Sequence, residues 1–187
     1  MTGPYFLLEE EDLMNWTQLL TKEIEDTYKT TDALLGQVDE DKLDWKPETG
    51  ANWMTTGQLL QHISSACGGP CKGFITGDWG LPEGMDMKDM KPEDMIPPAD
   101  AMPAATSVED VRKALADDKK LALGLIVEAG EEDLTNKQTT APWDKNAMSL
   151  GYRMLHMVGH LNNHKNQLFY YLKLQGKPVN TWHMYGG

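Results

Sequence analysis

Cysteine is scarce in this sequence of 187 residues, which contains only Cys67 and Cys71. Two cysteines are too few for the disulfide framework that stabilises small secreted domains, so we expect a reducing, cytoplasmic compartment. Their spacing also differs from the C-x-x-C pattern of a thiol–disulfide redox motif. We therefore interpret them as buried, inert thiols rather than as a redox pair.

Long apolar runs are absent as well. No stretch approaches the roughly 18 apolar residues of a membrane span. The first residues, 1–8, run into an acidic segment and lack the basic residues that open a signal peptide. The sequence therefore predicts neither a transmembrane helix nor a targeting segment.

Basic residues are outnumbered by acidic ones: 17 Lys and Arg stand against 29 Asp and Glu, for a net charge of -12. A surface this acidic repels nucleic-acid phosphates and anionic lipids, so neither is an expected partner. Apolar residues make up 40 % and charged residues 25 % of the chain, as in ordinary globular proteins. The length fits one domain spanning residues 1–187.

Strand patterns are also missing, because no alternating apolar and polar runs flank hairpin turns. Helical periodicity is present in four segments, and we expect helices over about 11–35, 55–75, 107–129 and 149–175. The second should be interrupted around residues 68–70 (Gly-Gly-Pro), where Pro70 has no backbone donor. The pattern predicts an all-α protein, a four-helix bundle with long connecting loops.

The loops between the predicted helices span residues 37–53, 77–106 and 130–147. The second is too long for a simple turn in a compact domain, so we expect it to wrap over the bundle. Its many methionines, which include Met95 and Met102, are interpreted as loop packing rather than as part of a site.

Three of the five histidines lie four residues apart on the predicted fourth helix: His156, His160 and His164. Two imidazoles at i and i+4 share one helix face and are close enough to chelate one ion. Spacing alone does not distinguish between the two overlapping pairs, nor between a metal site and imidazoles packed in a network with Gln167. Neither pair carries the Glu of a zincin helix, so a metalloprotease is not expected.

His62 is the expected third ligand. It lies near the middle of the second predicted helix, where its neighbours Leu59 and Ile63 should face the core. Three histidines from two facing helices leave one coordination position open for water or substrate, which is typical of catalytic rather than structural metal sites.

Four segments of the chain, taken in order, resemble the DinB-like superfamily. Residues 59–63 (Leu-Leu-Gln-His-Ile) and 160–168 (His-Leu-Asn-Asn-His-Lys-Asn-Gln-Leu) are similar to its two signature segments. Residues 45–47 (Trp-Lys-Pro) resemble the motif before its second helix, and residues 171–178 resemble its usual close. The chain departs from the common His-His-Arg-Gly-Gln motif of the fourth helix, so the resemblance does not extend to a substrate.

The resemblance implies an up-down-down-up four-helix bundle, frequent dimerisation and a three-histidine site for one divalent metal ion. Carried over, the ligands are His62, His160 and His164, while His156 is a neighbour on the same ridge. Zn, Ni, Fe, Co and Mn all suit three imidazoles. Some relatives are similar to transferases that activate a low-molecular-weight thiol, and others resemble hydrolases. We therefore expect a homodimer that acts on a small-molecule substrate.

Two functions are consistent with these features. In the first, a metal-dependent enzyme activates a thiol or water nucleophile, and Gln167 and Asn163 orient ligands or substrate. In the alternative, the chain is a non-catalytic metal-binding or stress-related module, because no Glu or Asp stands beside a ligand histidine. That absence counts more against a hydrolase than against a thiol transferase, since a metal-bound thiol needs less help to ionise.

Overall fold

The computed structural model describes residues 14–186 except 83, 86, 88, 89, 92–94 and 96. These residues form a mostly helical fold, with six α-helices and one small two-stranded sheet. None of the helices in this described part of the chain is long and apolar enough to cross a membrane. The predicted all-α class is therefore confirmed, with one small addition.

The helices begin at side-chain caps that the sequence largely predicts. Thr55, Ser107 and Ser149 each accept the backbone N–H of the residue three positions on. The first helix begins at Trp16, because Asn15 accepts the N–H of Gln18 and sets the start there. Residues 11–13 of the predicted helix lie outside the described residues. The helices are α1 (Trp16–Leu35), α2 (Thr56–Ile63), α3 (Gly68–Thr76), α4 (Val108–Asn136), α5 (Leu150–Leu174) and α6 (Thr181–Met184).

The predicted second helix is divided into α2 and α3, and the break lies directly before Gly68, the first residue of the predicted interruption. The carboxylate of Asp118, on α4, caps α3 by accepting the N–H groups of Gly68 and Gly69, each at 3.0 Å. Asp118 is only 7 % exposed and also accepts the hydroxyl of Tyr28 at 2.7 Å. One buried carboxylate thus connects α1, α3 and α4.

Contacts between α1 and α4 show that these helices are antiparallel. Thr17, at the start of α1, donates to Glu131 near the end of α4. Asp32, near the end of α1, pairs through both carboxylate oxygens with Arg112 in the first turns of α4. The first and third helices of the bundle therefore run in opposite directions.

The remaining directions follow in the same way. Ala105, just before α4, donates to the carbonyl of Gly57 at the start of α2. Asp118, further along α4, caps the start of α3. Helices α2 and α3 therefore run parallel to α4. Gln175, after the end of α5, donates to Thr56 at the start of α2, so α5 runs the opposite way. The bundle is up-down-down-up, as the family resemblance implies.

The segment between α4 and α5 contains a hairpin, so the expectation of no strands was wrong. Strand β1 (Gln138–Ala141) pairs antiparallel with β2 (Asp144–Ser149), with an irregularity between Thr139 and Ala141. Most strand residues are exposed or half-buried, so they show no apolar alternation. Helix α4 also continues to Asn136, past the predicted end, through a kink at Gly130 where φ is 67°.

The core fills the space between the four long helical segments. Cys67 and Cys71 are free and fully buried within it, as predicted. A hydrogen bond with Cys67, together with burial, raises the pKa of Cys71 well above its ordinary value, which keeps that thiol protonated at neutral pH.

Candidate metal centre

His62 from α2 and His160 and His164 from α5 converge on one point. Their Nε2 atoms are separated by 3.2 Å (62 to 160), 3.1 Å (62 to 164) and 3.0 Å (160 to 164). Among the residues that the structure describes, this is the one group of three or more His, Cys, Asp or Glu side chains arranged closely enough to hold a metal ion. The cluster could therefore bind such an ion.

His160 is oriented by the break between α2 and α3. Its Nδ1 lies 3.0 Å from the carbonyl oxygen of Ala66. A carbonyl oxygen only accepts, so Nδ1 carries the proton. In a continuous helix this carbonyl would accept the N–H of residue 70, but Pro70 has none. Pro70 thus leaves Ala66 free for His160, whose Nε2 lone pair points at the other two histidines.

His164 is oriented from within its own helix. Its Nδ1 lies 3.1 Å from Oε1 of Gln167, whose Nε2 donates to the hydroxyl of Tyr171 at 3.3 Å. That hydroxyl donates in turn to the carbonyl of Met54 at 2.9 Å, and the ring packs edge-on against Trp45 at 5.4 Å. This chain of contacts fixes which end of the Gln167 amide faces His164. The imidazole therefore donates from Nδ1, and its Nε2 carries a lone pair.

The converging lone pairs fit a cation. In their neutral forms, with both Nδ1 protons engaged, His160 and His164 have no proton between their Nε2 atoms, which face each other at 3.0 Å. Nitrogen ligands about 2.0–2.1 Å from a metal lie about 2.9–3.4 Å from one another, which matches the observed separations. Burial, and then the adjacent His164 and His160, lower the pKa of His62 to about 4. Burial also lowers the pKa of His164, so both are neutral, the form that binds metals.

A cavity of about 720 Å³ has all three histidines in its wall. Asn163, predicted to orient substrate, also lines it. Gln167 is not among the described residues of this wall. It contacts His164 instead, so it is a positioning residue that acts through that imidazole. The other described residues of the wall are Met54, Pro70, Met95, Pro97, Met102, Trp143, Leu155, His156, Met157 and Gly159.

His156 does not join the cluster. Its side chain is exposed at the cavity, where its ring lies 4.4 Å from that of Tyr152. The two i, i+4 pairs that the spacing leaves open are therefore distinguished by the structure, which brings His160 and His164, not His156, towards His62.

Sequence reasoning missed most of the cavity wall. Met95 and Met102, interpreted from the sequence as loop packing, instead line the cavity beside the histidines. Trp143 reaches it from the turn of the unpredicted hairpin, where its ring lies 5.7 Å from Trp79 and 6.0 Å from Phe74. The high methionine content of the long loop was the available signal, but it does not reveal which helix face the loop covers.

Comparison with known protein families matches residues 23–168 to the DinB superfamily. Comparisons with curated proteins and with solved structures found no match. The matched range runs from within α1 to within α5 and contains His62, His160 and His164. Because it covers well over half of the sequence, the chain belongs to the DinB superfamily.

Proposed function

We propose that this protein is a metal-dependent enzyme that activates a small nucleophile, preferentially a low-molecular-weight thiol, at the three-histidine centre. One observation carries the proposal: the three Nε2 atoms converge within 3.2 Å, and the far nitrogens of two rings are held by hydrogen-bond acceptors. Such support orients metal-binding imidazoles in characterised sites and raises their basicity.

The roles of the side chains follow from their contacts. A divalent ion held by His62, His160 and His164 would lower the pKa of a thiol or water that reaches it. The carbonyl of Ala66 and the amide of Gln167 hold the Nδ1 protons, so the imidazoles keep their lone pairs on Nε2. Asn163, at the cavity, supplies a neutral amide that would orient the substrate by hydrogen bonding.

The wall of the cavity favours a thiol over water as the nucleophile. Among the described residues that line it there is no Asp, Glu or Lys, and His156, the imidazole of the wall that is not a proposed ligand, stands outside the three-histidine cluster with its ring beside Tyr152. Hydrolysis usually requires a general base within hydrogen-bond reach of the attacking water. A thiol ionises more readily, and its attack needs no further proton acceptor. We therefore propose S-transfer as the reaction: the thiol loses its proton to water, the thiolate sulfur forms a bond to an electrophilic carbon of the substrate, and a leaving group departs from that carbon with the bonding electrons. Hydrolysis is the second candidate.

The absence of Asp, Glu and Lys from the described cavity wall also supports the non-catalytic alternative, a metal-binding module without turnover. The enzyme and the module differ in whether a thiol at the centre is activated, so experiment can distinguish them. We also propose that the chain forms a homodimer, and the molar mass of the purified protein, measured by light scattering, tests this.

Cobalt(II) is a suitable probe because its visible absorption reports the ligands around it. We expect the parent protein with one equivalent of cobalt to gain a near-ultraviolet sulfur-to-cobalt band when mercaptoethanol is added. Ethylene glycol, its oxygen analogue, should produce no such band. The His160→Ala variant should lack it, whereas His156→Ala, altered on the same ridge, should keep it.

Three results would oppose the proposal. Failure of the parent to bind cobalt contradicts the metal centre, and a cobalt spectrum unaffected by thiols contradicts thiol activation. A thiol band without faster attack of that thiol on a model aryl halide supports the non-catalytic module.

A further inference from the structure

The cavity beside the histidines is apolar in a protein whose surface is strongly charged. Four methionines, Met54, Met95, Met102 and Met157, contribute to its wall, and they come from two loops and from α5. Methionine is flexible and polarisable, so such a wall adapts to ligands of differing shape and makes favourable contacts with aromatic rings. A cavity of about 720 Å³ is in the range that encloses a drug-sized organic molecule.

Trp143 gives this wall a flat aromatic surface. It is 45 % exposed although large and apolar, and its ring lies edge-on to Trp79 and Phe74. Arg153, only 2 % exposed, fixes the hairpin to α5: it donates to the carbonyl of Asn146 at 3.1 Å and lies 5.2 Å over the ring of Phe74. The indole is thus held in place while one side remains open to a ligand.

The charges around the cavity also favour an uncharged ligand. The described residues that line the cavity include no Lys or Arg, so a carboxylate or phosphate lying against Trp143, away from an ion at the three histidines, would find no such cationic side chain there. Transfer of a charged group into an apolar site without a partner is costly. The polar groups of the wall are the imidazoles and the neutral amide of Asn163.

We propose that this cavity binds an uncharged, mainly apolar organic molecule that carries an aromatic ring, with the ring against Trp143 and a polar atom directed towards the histidines. This is the electrophilic substrate of the S-transfer proposed above, and in that respect the inference rests on the proposed function. The binding of the apolar body depends on the cavity wall alone.

Gly159 offers a way to fill the cavity without disturbing the fold. It lies on α5 and lines the cavity, and a Cβ placed on it would meet no atom within 4 Å. A leucine there projects into the space proposed for the ligand. Gly124, on α4, has the same open surroundings but lines a different, shallow surface groove. Gly124→Leu is therefore a matched control for Gly159→Leu.

The probe is N-phenylnaphthylamine, a neutral apolar fluorophore, and its anionic relative anilinonaphthalene sulfonate has the same ring system with one added charge. We expect saturable binding of the neutral probe to the parent protein and binding at least about tenfold weaker for the sulfonate. Gly159→Leu should weaken binding of the neutral probe by at least about tenfold, and Gly124→Leu should leave that binding unchanged.

A second pair of variants keeps the test independent of position 159. Trp143→Ala should weaken binding of the neutral probe by about tenfold, since aromatic anchors dominate binding at buried apolar surfaces. Trp182→Ala removes a tryptophan that is 74 % exposed on α6 and should have no effect. Unchanged binding in both Gly159→Leu and Trp143→Ala overturns the inference, as does equal affinity for the two probes.

Metal content measured on the same samples separates this inference from the proposed function. Stoichiometric metal without binding of the neutral probe overturns the inference and leaves the metal centre standing. Probe binding that is lost in Gly159→Leu, in a parent that takes up no metal, supports the apolar cavity and contradicts the proposed function.

Discussion

The imidazoles of His160 and His164 are fixed by two acceptors of different kinds. His160 donates to a backbone carbonyl, which no side-chain substitution removes, whereas His164 donates to the amide of Gln167. The second contact is therefore open to direct test. Gln167 is itself held by the hydroxyl of Tyr171, so the orientation of His164 depends on two further side chains along α5.

Gln167→Leu keeps the approximate size of the side chain but removes the acceptor for His164. We expect the affinity for zinc to fall about 10–100-fold, the range seen when supporting partners of metal ligands are removed. Tyr171→Phe, which releases Gln167 without removing it, should have a smaller effect. Competition with a chromophoric chelator measures both.

Gln175→Leu is the matched control, because it makes the same substitution just after α5 at a residue that contacts Thr56 and not a histidine. An affinity for zinc that is the same in Gln167→Leu, Gln175→Leu and the parent would show that Gln167 does not support the centre.

Among the structural elements, the break between α2 and α3 has the clearest connection to the site. It frees the carbonyl of Ala66 for His160, and it depends on the close approach of Gly68 to Asp118. A Cβ on Gly68 would lie 2.6 Å from Oδ1 of Asp118, whereas a Cβ on the adjacent Gly69 would meet nothing within 4 Å. Position 69 therefore has room for a side chain, whereas position 68 does not.

Gly68→Ala should lower the free energy of unfolding by roughly 1–3 kcal/mol, because a methyl group forced into a packed contact displaces the cap of α3. It should also weaken zinc binding, since the carbonyl of Ala66 moves with the break. Gly69→Ala should change neither quantity appreciably. Urea unfolding of the metal-free protein and chelator competition measure the two effects, and equal stabilities for the two variants would contradict this explanation of the break.

The elements differ in how well the sequence predicts them. Caps such as Thr55 and Ser107 act within a few residues, so the helix starts that they set can be read from the local sequence. The hairpin after α4 cannot, because its strands bury few side chains and so have no apolar alternation. The cap of α3 is equally hidden, since Asp118 lies far from it in the sequence.

At the level of the whole molecule, the candidate site combines predictable and unpredictable parts. The i, i+4 spacing of the histidines on α5 predicts a chelating pair but leaves two overlapping pairs open. The family resemblance selects His160 and His164, together with His62 from α2. The cavity could not be predicted, because Met54, Met102 and Trp143 come from three separate connections. Where such loops cross the bundle depends on tertiary packing and not on a periodic pattern.

The centre also connects two helical segments that are far apart in the sequence, since His62 lies on α2 and the other two histidines lie on α5. An ion bound there favours the folded chain, because the unfolded chain does not hold the three imidazoles together. We therefore expect a bound ion to stabilise the whole bundle and not only the three residues that would hold it.

The most direct measurement is the metal content of the purified, tag-free protein by inductively coupled plasma mass spectrometry, after incubation with Ni, Zn, Mn or Fe(II) and removal of free ions. We predict close to one divalent ion per chain in the parent and in His156→Ala, and its loss in His62→Ala, His160→Ala and His164→Ala. No bound ion in the parent, or equal loss in His156→Ala, would contradict a centre formed by these three histidines.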